Sequence, residues 1–306
     1  MTAAYGAKLV GALSAAAVWH RHQVRKHTHT PYIGHPLVVT ALVLEDGGTE
    51  DEACAGVLHD ALEDTPATLD DLRQLFGDEV ARIVVACTDT TADGAGGRQE
   101  KLPWKPRKDA HLEQLRSGGP DAAVARVAAA DKLANARSML DDFSDAGPAV
   151  WSGFKGGLSG TVWYLDLMAG VLGPPLDGSA LARRLEQAVG ELKGVEAAER
   201  FRLGGSVARI AAGLQQVPAD AGLGWHPADA EMVGFEIARR LDAGCGPART
   251  AAWEVVASWY AHPLPADAGG RAEAIARLER DGRLLPLATA AVRAVTDRAG
   301  AARRRG

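Results

Sequence analysis

Val57-Leu58-His59-Asp60-Ala61-Leu62-Glu63-Asp64-Thr65-Pro66 packs one imidazole and three carboxylates into a short span, and no lysine or arginine lies between Glu45 and Leu72. Upstream, Asp46-Gly47-Gly48 marks a turn, and Thr49 with Glu52 has the capping-box pattern, so a helix is predicted from there to about Asp64. Pro66 stops it, because the residue before a proline is pushed out of the α region. At 100° per residue, with His59 at zero, Glu63 falls at about 40°, Asp60 at about 100° and Asp64 at about 140°. Leu58, Leu62, Ala55, Cys54 and Ala61 lie between about 200° and 320° and form an apolar side for a core. Gly56 falls inside the polar fan one turn earlier and is expected to leave room for whatever binds. One reading of the fan is the solvated face of an amphipathic helix, but such faces usually mix signs. Repelling carboxylates beside an imidazole favour a bound cation, and nitrogen with oxygen donors suits manganese, iron or zinc better than calcium.

One helix supplies only His59 and Asp60, so a mononuclear site needs partners from elsewhere. Pro31-Tyr32-Ile33-Gly34-His35-Pro36 offers His35, and Ala130-Asp131-Lys132-Leu133-Ala134-Asn135 offers Asp131. His35 stands just before Pro36, a good first helical residue, which places its imidazole at the mouth of a helix. Asp131, Asn135 and Ser138 fall on one stripe of theirs. Lys105, Arg107 and Lys108, with Lys132 and Arg137, read either as phosphate clamps or as solvated basic surface.

Apolar residues recur at helical spacing through most of the chain and alternating β-branched runs are scarce, so the fold class is all-α. Thr68 with Asp71 repeats the capping box for a short helix to Phe76-Gly77. Further helices are predicted through Val80 to Cys87, Ala110 to Arg116, Val124 to Leu140, Trp163 to Leu172 and Leu181 to Leu192, with a loop at Asp93-Gly94-Ala95-Gly96-Gly97. Lys8 to Trp19 has some signal-peptide character, but its helical spacing runs straight into His20 and Arg21, which reads as a first core helix. From about Glu196 the character changes, and Lys193 is the last lysine. Residues 1–197 are therefore read as one domain and 198–306 as an additional helical region. In the latter, Phe235, Ile237, Leu241, Trp253, Val256, Trp259 and Tyr260 have buried spacing, and Trp225, His226 and His262 are assigned to core or surface.

The 306 residues, 47% hydrophobic, allow one or two domains. A net charge of −5 gives no global attraction to nucleic acid or anionic lipid. Cys54, Cys87 and Cys245 have neither disulfide-framework nor zinc-ribbon spacing, which fits a reducing, cytoplasmic setting. No apolar run reaches the ~20 residues of a membrane span.

The stretches Gln23 to Lys26, Pro31 to Leu37, Leu58 to Thr65, Phe76 to Val80 and Ala130 to Arg137 together resemble the HD-domain alarmone hydrolases of the RelA/SpoT-homologue group, in particular the small hydrolases without a synthetase. The resemblance continues through Trp151, Phe154, Gly160-Thr161 and Trp163-Tyr164. It implies an HD-domain helical hydrolase fold with His35, His59, Asp60 and Asp131 as ligands of one divalent ion, Mn²⁺ in the family. It implies that Glu63 and Asp64 activate and orient the attacking water. It makes Arg25 the residue packed on the nucleobase and Lys26 its basic neighbour, with Asn135 and Ser138 near ribose and phosphates. The implied reaction is release of pyrophosphate from the 3′ position of a purine nucleotide alarmone such as guanosine tetraphosphate. Two departures bear on the nucleotide. Ala134 stands where many relatives have histidine, and four residues, His27 to Thr30, separate Lys26 from Pro31 where bifunctional relatives have three.

Other functions share this centre, among them removal of the 2′-phosphate of NADPH and cleavage of an adenosine alarmone. A different class is a nucleotide-binding regulator without catalysis, against which the full set of metal and acid positions argues. An antidote role against an alarmone-producing toxin needs no extra feature. The C-terminal region is expected to cover the site, mediate homo-oligomer assembly or receive a regulatory partner.

Overall fold

A computed structural model describes residues 6–25, 30–89, 102–219 and 225–302, the side chains of the last six excepted. Helices dominate, and among these residues the one β-type pairing is an isolated antiparallel bridge between Val24 and Pro31. In chain order the helices are α1 (Ala7–Trp19), α2 (Gly34–Glu45), α3 (Glu50–Leu58), α4 (Ala61–Asp64), α5 (Leu69–Phe76), α6 (Asp78–Cys87), α7 (Trp104–Gly118) and α8 (Ala122–Ala146). They continue with α9 (Gly157–Leu172), α10 (Ala180–Leu203), α11 (Gly205–Gln215), α12 (Ala230–Asp242), α13 (Ala248–Tyr260), α14 (Ala268–Asp281) and α15 (Leu285–Ala302). No described helix is long and apolar enough to cross a membrane.

The chain divides into two compact units. One takes Met1–Lys101, Ala110–Gly147 and Tyr164–Leu192, the other Leu102–Asp109, Pro148–Trp163 and Lys193–Gly306. They are interleaved in sequence, and the last crossing falls within α10.

In the first unit α3 packs against α1, α2, α6 and α8. Both predicted capping boxes form: Thr49 with Glu52 opens α3, and Thr68 with Asp71 opens α5. Ala53 to Leu58 are buried, because a run of Ala, Cys and Gly lets neighbouring helices come close. Gly56 belongs to that packing and not to a ligand space. A Cβ on it would lie 3.4 Å from Thr40 Cα and 3.5 Å from Val43 Cγ2 of α2.

The predicted continuous helix to Asp64 is broken. α3 ends at Leu58, Asp60 adopts φ −95° and ψ 0°, and α4 begins at Ala61. That backbone region is sparsely populated and frequent at active sites. The wheel drawn for an unbroken helix therefore does not describe how the four polar groups fan out. A second difference is α7, which starts at Trp104 and not near Ala110, since Pro106 falls in its first turn where a missing N–H costs nothing. The loop expected at 93–97 lies outside the described residues.

Asp46, just past α2, ties three segments of the first unit together. It accepts from Arg126 of α8 at 3.0 Å, from the Ser179 hydroxyl at 2.6 Å and from the Leu181 N–H at 3.2 Å. Burial opposes its charge, but these donors outweigh burial and hold its pKa below the ordinary aspartate value. A depressed pKa stabilises the fold above the unfolded-state value of about 4, and this is lost as pH falls through the folded value. Asp46→Asn is expected to cost about 1–3 kcal/mol at pH 7. The gap from wild type should close below about pH 4 in denaturant titrations.

In the second unit α11 packs on α12 and α15, and α13 on α12 and α15. Phe235, Ile237, Trp253, Val256, Trp259 and Tyr260 are buried as predicted, whereas Leu241 is half-buried; of the residues assigned to core or surface, Trp225 is buried and His226 and His262 are exposed. Gly234 permits the α11–α12 approach, since a Cβ there would lie 2.9 Å from the Ala211 backbone nitrogen. Glu236 of α12 is buried, pairs with Arg239 at 3.0 Å and accepts the Ser159 N–H in the first turn of α9 at 2.8 Å. Its carboxylate occupies the space a side chain at Gly157 would need, and Gly157 itself sits at φ +62°.

Candidate metal centre

Three segments of the first unit deliver the expected donors. His35 comes from the first turn of α2, His59 and Asp60 from the break between α3 and α4, and Asp131 from the middle of α8. Donor atoms of His35, His59 and Asp131 lie within 4.8 Å of one another. His35 Nε2 is 3.1 Å from Asp131 Oδ1 and 3.8 Å from Asp60 Oδ2. His59 Nε2 is 3.0 Å from Asp60 Oδ2 and 3.6 Å from Asp131 Oδ1. His35, His59 and Asp131 are buried, and the Asp60 side chain is 21% exposed, so the cluster keeps some access to solvent.

Three of the four donors are held by a neighbour. His59 Nδ1 donates to the Gly56 carbonyl at 2.8 Å, which turns Nε2 toward the cluster. His59 Nε2 is buried and faces both carboxylates, yet it makes no hydrogen bond of good geometry to either, which fits a nitrogen aimed at a shared cation. Asp131 Oδ2 pairs with Lys132 Nζ at 2.5 Å, and its Oδ1 accepts from Asn135 Nδ2 at 2.6 Å. Asp60 Oδ2 accepts from the Tyr32 hydroxyl.

Electrostatics answers the charge imbalance of the opening stretch. Burial resists ionisation of Asp60 and Asp131, yet His59 beside Asp60, and Lys132, His35 and His59 beside Asp131, push both below the usual carboxylate range. Burial likewise resists a charge on His59, and Asp60 and Asp131 overcome it and push that imidazole up. Two nitrogen and two oxygen donors that together attract positive charge fit a borderline divalent transition ion.

Glu63 and Asp64 follow on α4. Glu63 Oε1 accepts the Asp89 N–H at 2.9 Å, and Asp64 Oδ2 accepts from Gln23 Nε2 at 3.0 Å. Glu63 is half-buried and Asp64 exposed. Arg25 is half-buried and donates its backbone N–H to Thr30. Ser138 is half-buried and Arg137 exposed on α8. Lys26 lies outside the described residues. Lys105 and Lys108 belong to the second unit, where the Lys105 ammonium meets Asp109 at 2.9 Å and Asp229 at 3.3 Å and lies 4.4 Å from the Trp163 ring centre. Sequence reasoning missed Tyr32, Gln23 and the Asp89 N–H as partners of the acidic groups. For Tyr32 a signal was present, since it sits one turn before His35 within the same short motif.

The HD domain family matches residues 12–155. Mouse and human proteins named guanosine-3′,5′-bis(diphosphate) 3′-pyrophosphohydrolase MESH1 are each 36% identical over 149 residues, covering 48% of this chain and 75% of theirs. The bifunctional (p)ppGpp synthase/hydrolase SpoT of Escherichia coli is 32% identical over 124 residues, 39% of this chain and 16% of that protein. A solved structure described as a metazoan orthologue of SpoT that hydrolyses ppGpp aligns with 61% of this chain and 96% of its own, at 25% identity and a TM-score of 0.46.

Proposed function

We propose, from the premise that this chain belongs to the HD-domain alarmone hydrolase family and is a metal-dependent phosphohydrolase, that it releases pyrophosphate from the 3′ position of guanosine tetra- or pentaphosphate in the cytoplasm. His35, His59, Asp60 and Asp131 are the residues that would hold the ion, Mn²⁺ in this reading. The observation that carries the reading is their convergence from three distant segments, with the buried His59 Nε2 facing both carboxylates without a hydrogen bond of good geometry to either.

Bound there, the ion would neutralise phosphoryl charge and lower the pKa of a water. Glu63 takes the water's proton, and the Asp89 N–H, bonded to its Oε1, helps to fix the carboxylate in place. Asp64 orients the same water. The water oxygen bonds to the phosphorus attached to the 3′ oxygen, the bond between them breaks, and that oxygen gains a proton. Arg25 and Lys26 serve the base, Asn135 and Ser138 the ribose and phosphates, and Arg137 lies on the same helix. Residues 198–306 have an accessory role in this reading.

The test strips the protein of metal, restores Mn²⁺ and offers guanosine tetraphosphate, its adenosine analogue and NADPH separately. Pyrophosphate from guanosine tetraphosphate is expected. Orthophosphate from NADPH alone would replace the substrate, and metal binding without any turnover would favour the regulator.

A further inference from the structure

The connection between α1 and α2 is cross-linked by backbone hydrogen bonds. The Gln23 N–H donates to the His20 carbonyl at 2.9 Å, the Tyr32 N–H to the Gln23 carbonyl at 2.9 Å, and the His35 N–H to the Tyr32 carbonyl at 2.9 Å. Gln23 and Tyr32 are thereby fixed opposite each other, next to the Val24–Pro31 bridge. Each sends its side chain to a different carboxylate: Gln23 Nε2 to Asp64 Oδ2 at 3.0 Å, and the Tyr32 hydroxyl to Asp60 Oδ2.

The orientation of the Gln23 amide follows from its partners. An ionised carboxylate only accepts, so the amide nitrogen must face Asp64 and the oxygen must face His20. His20 Nδ1, 2.6 Å from Gln23 Oε1, must then carry a proton. The His20 ring is 2% exposed and lies 5.2 Å, centre to centre, from the Tyr32 ring, so it braces both members of the pair.

We propose that Gln23 and Tyr32 are positioning residues, Gln23 for the water-orienting Asp64 and Tyr32 for the ligand Asp60, braced together by His20. This rests on the reading of Asp64 and Asp60 given above. The two act on separable quantities. Misplacing Asp64 slows the chemical step and leaves the ion in place, whereas loosening Asp60 weakens the ion, since a partner behind a ligand is worth about 10–100-fold in affinity.

The full chain with Gln23→Leu, Gln23→Glu or Tyr32→Phe separates these effects through kcat, KM, the Mn²⁺ dissociation constant and the unfolding midpoint. The kinetics use whichever of the three nucleotides wild type hydrolyses. Gln23→Leu is expected to lower kcat by about 10–100-fold. Its KM and Mn²⁺ affinity should stay near wild type, while the midpoint should fall modestly because the buried His20 N–H loses its acceptor. Gln23→Glu keeps the shape but removes the donor and faces Asp64 with a like charge, so kcat should fall at least as far. A space-filling role would spare it. Tyr32→Phe is expected to weaken Mn²⁺ by about 10-fold or more, with kcat largely recovered at saturating Mn²⁺. Unchanged kcat in Gln23→Glu, or unchanged Mn²⁺ affinity in Tyr32→Phe, overturns the proposal. The Mn²⁺ titration uses no substrate, so a wrong substrate assignment leaves that arm readable and shows itself only in the wild-type nucleotide panel.

Discussion

Asp60→Ala is expected to reduce turnover on the order of 10³-fold or more, with an unfolding midpoint close to wild type. Asp60 Oδ2 lies 3.0 Å from His59 Nε2 and 3.8 Å from His35 Nε2, so its loss removes an anionic donor from between two imidazoles. Alanine is tolerated because Asp60 sits in a two-residue break and bears no side-chain helix cap. The side chain is also partly exposed, so no large cavity opens. Asp60→Asn keeps the shape and removes the charge; it should lose most affinity for a divalent metal while still receiving the Tyr32 hydroxyl. Wild-type turnover in Asp60→Ala, measured with the bound metal counted, would remove the metal-centre reading altogether.

The largest expected loss of stability is in the second unit. Glu236 and Arg239 are both buried and paired at 3.0 Å. Burial pushes the Glu236 carboxyl up from its ordinary value, against the pull of Arg239 and the Ser159 N–H, so the pair itself contributes little net stability. Breaking it is another matter. Glu236→Ala leaves a guanidinium buried without its carboxylate and the Ser159 N–H without its acceptor, at a cost of about 3–5 kcal/mol. Combining Glu236→Ala with Arg239→Met should recover a large part of that loss, because the stranded charge is gone. Denaturant unfolding of the single and double variants checks this, and equal losses in both would refute the stranded-charge account.

Local rules were legible in the sequence and non-local ones less so. Thr49 with Glu52 and Thr68 with Asp71 announced two helix starts, because a capping box is satisfied within four residues. The joining of His35 and Asp131 to the His59–Asp60 pair was legible from donor chemistry and motif resemblance together, since helical spacing cannot specify which distant segments meet. The break after Leu58 was hidden, because Val57 to Asp64 contains no glycine or proline to mark it. Gly56 was misread for a related reason: a wheel reports angle but not which neighbour fills it, and here the neighbour is α2. Glu236 escaped notice because Val233 to Arg239 are all buried, and a helix enclosed on every side has no polar stripe to read.

The interruption after Leu58 also decides where a proton resides. An unbroken helix would commit the Gly56 carbonyl to the amide four residues on, while a terminating one leaves its last-turn carbonyls in search of donors. His59 answers with Nδ1–H, so the tautomer that presents a basic nitrogen inward is written into the main chain, and continuing the helix by one turn would erase it without changing a single side chain.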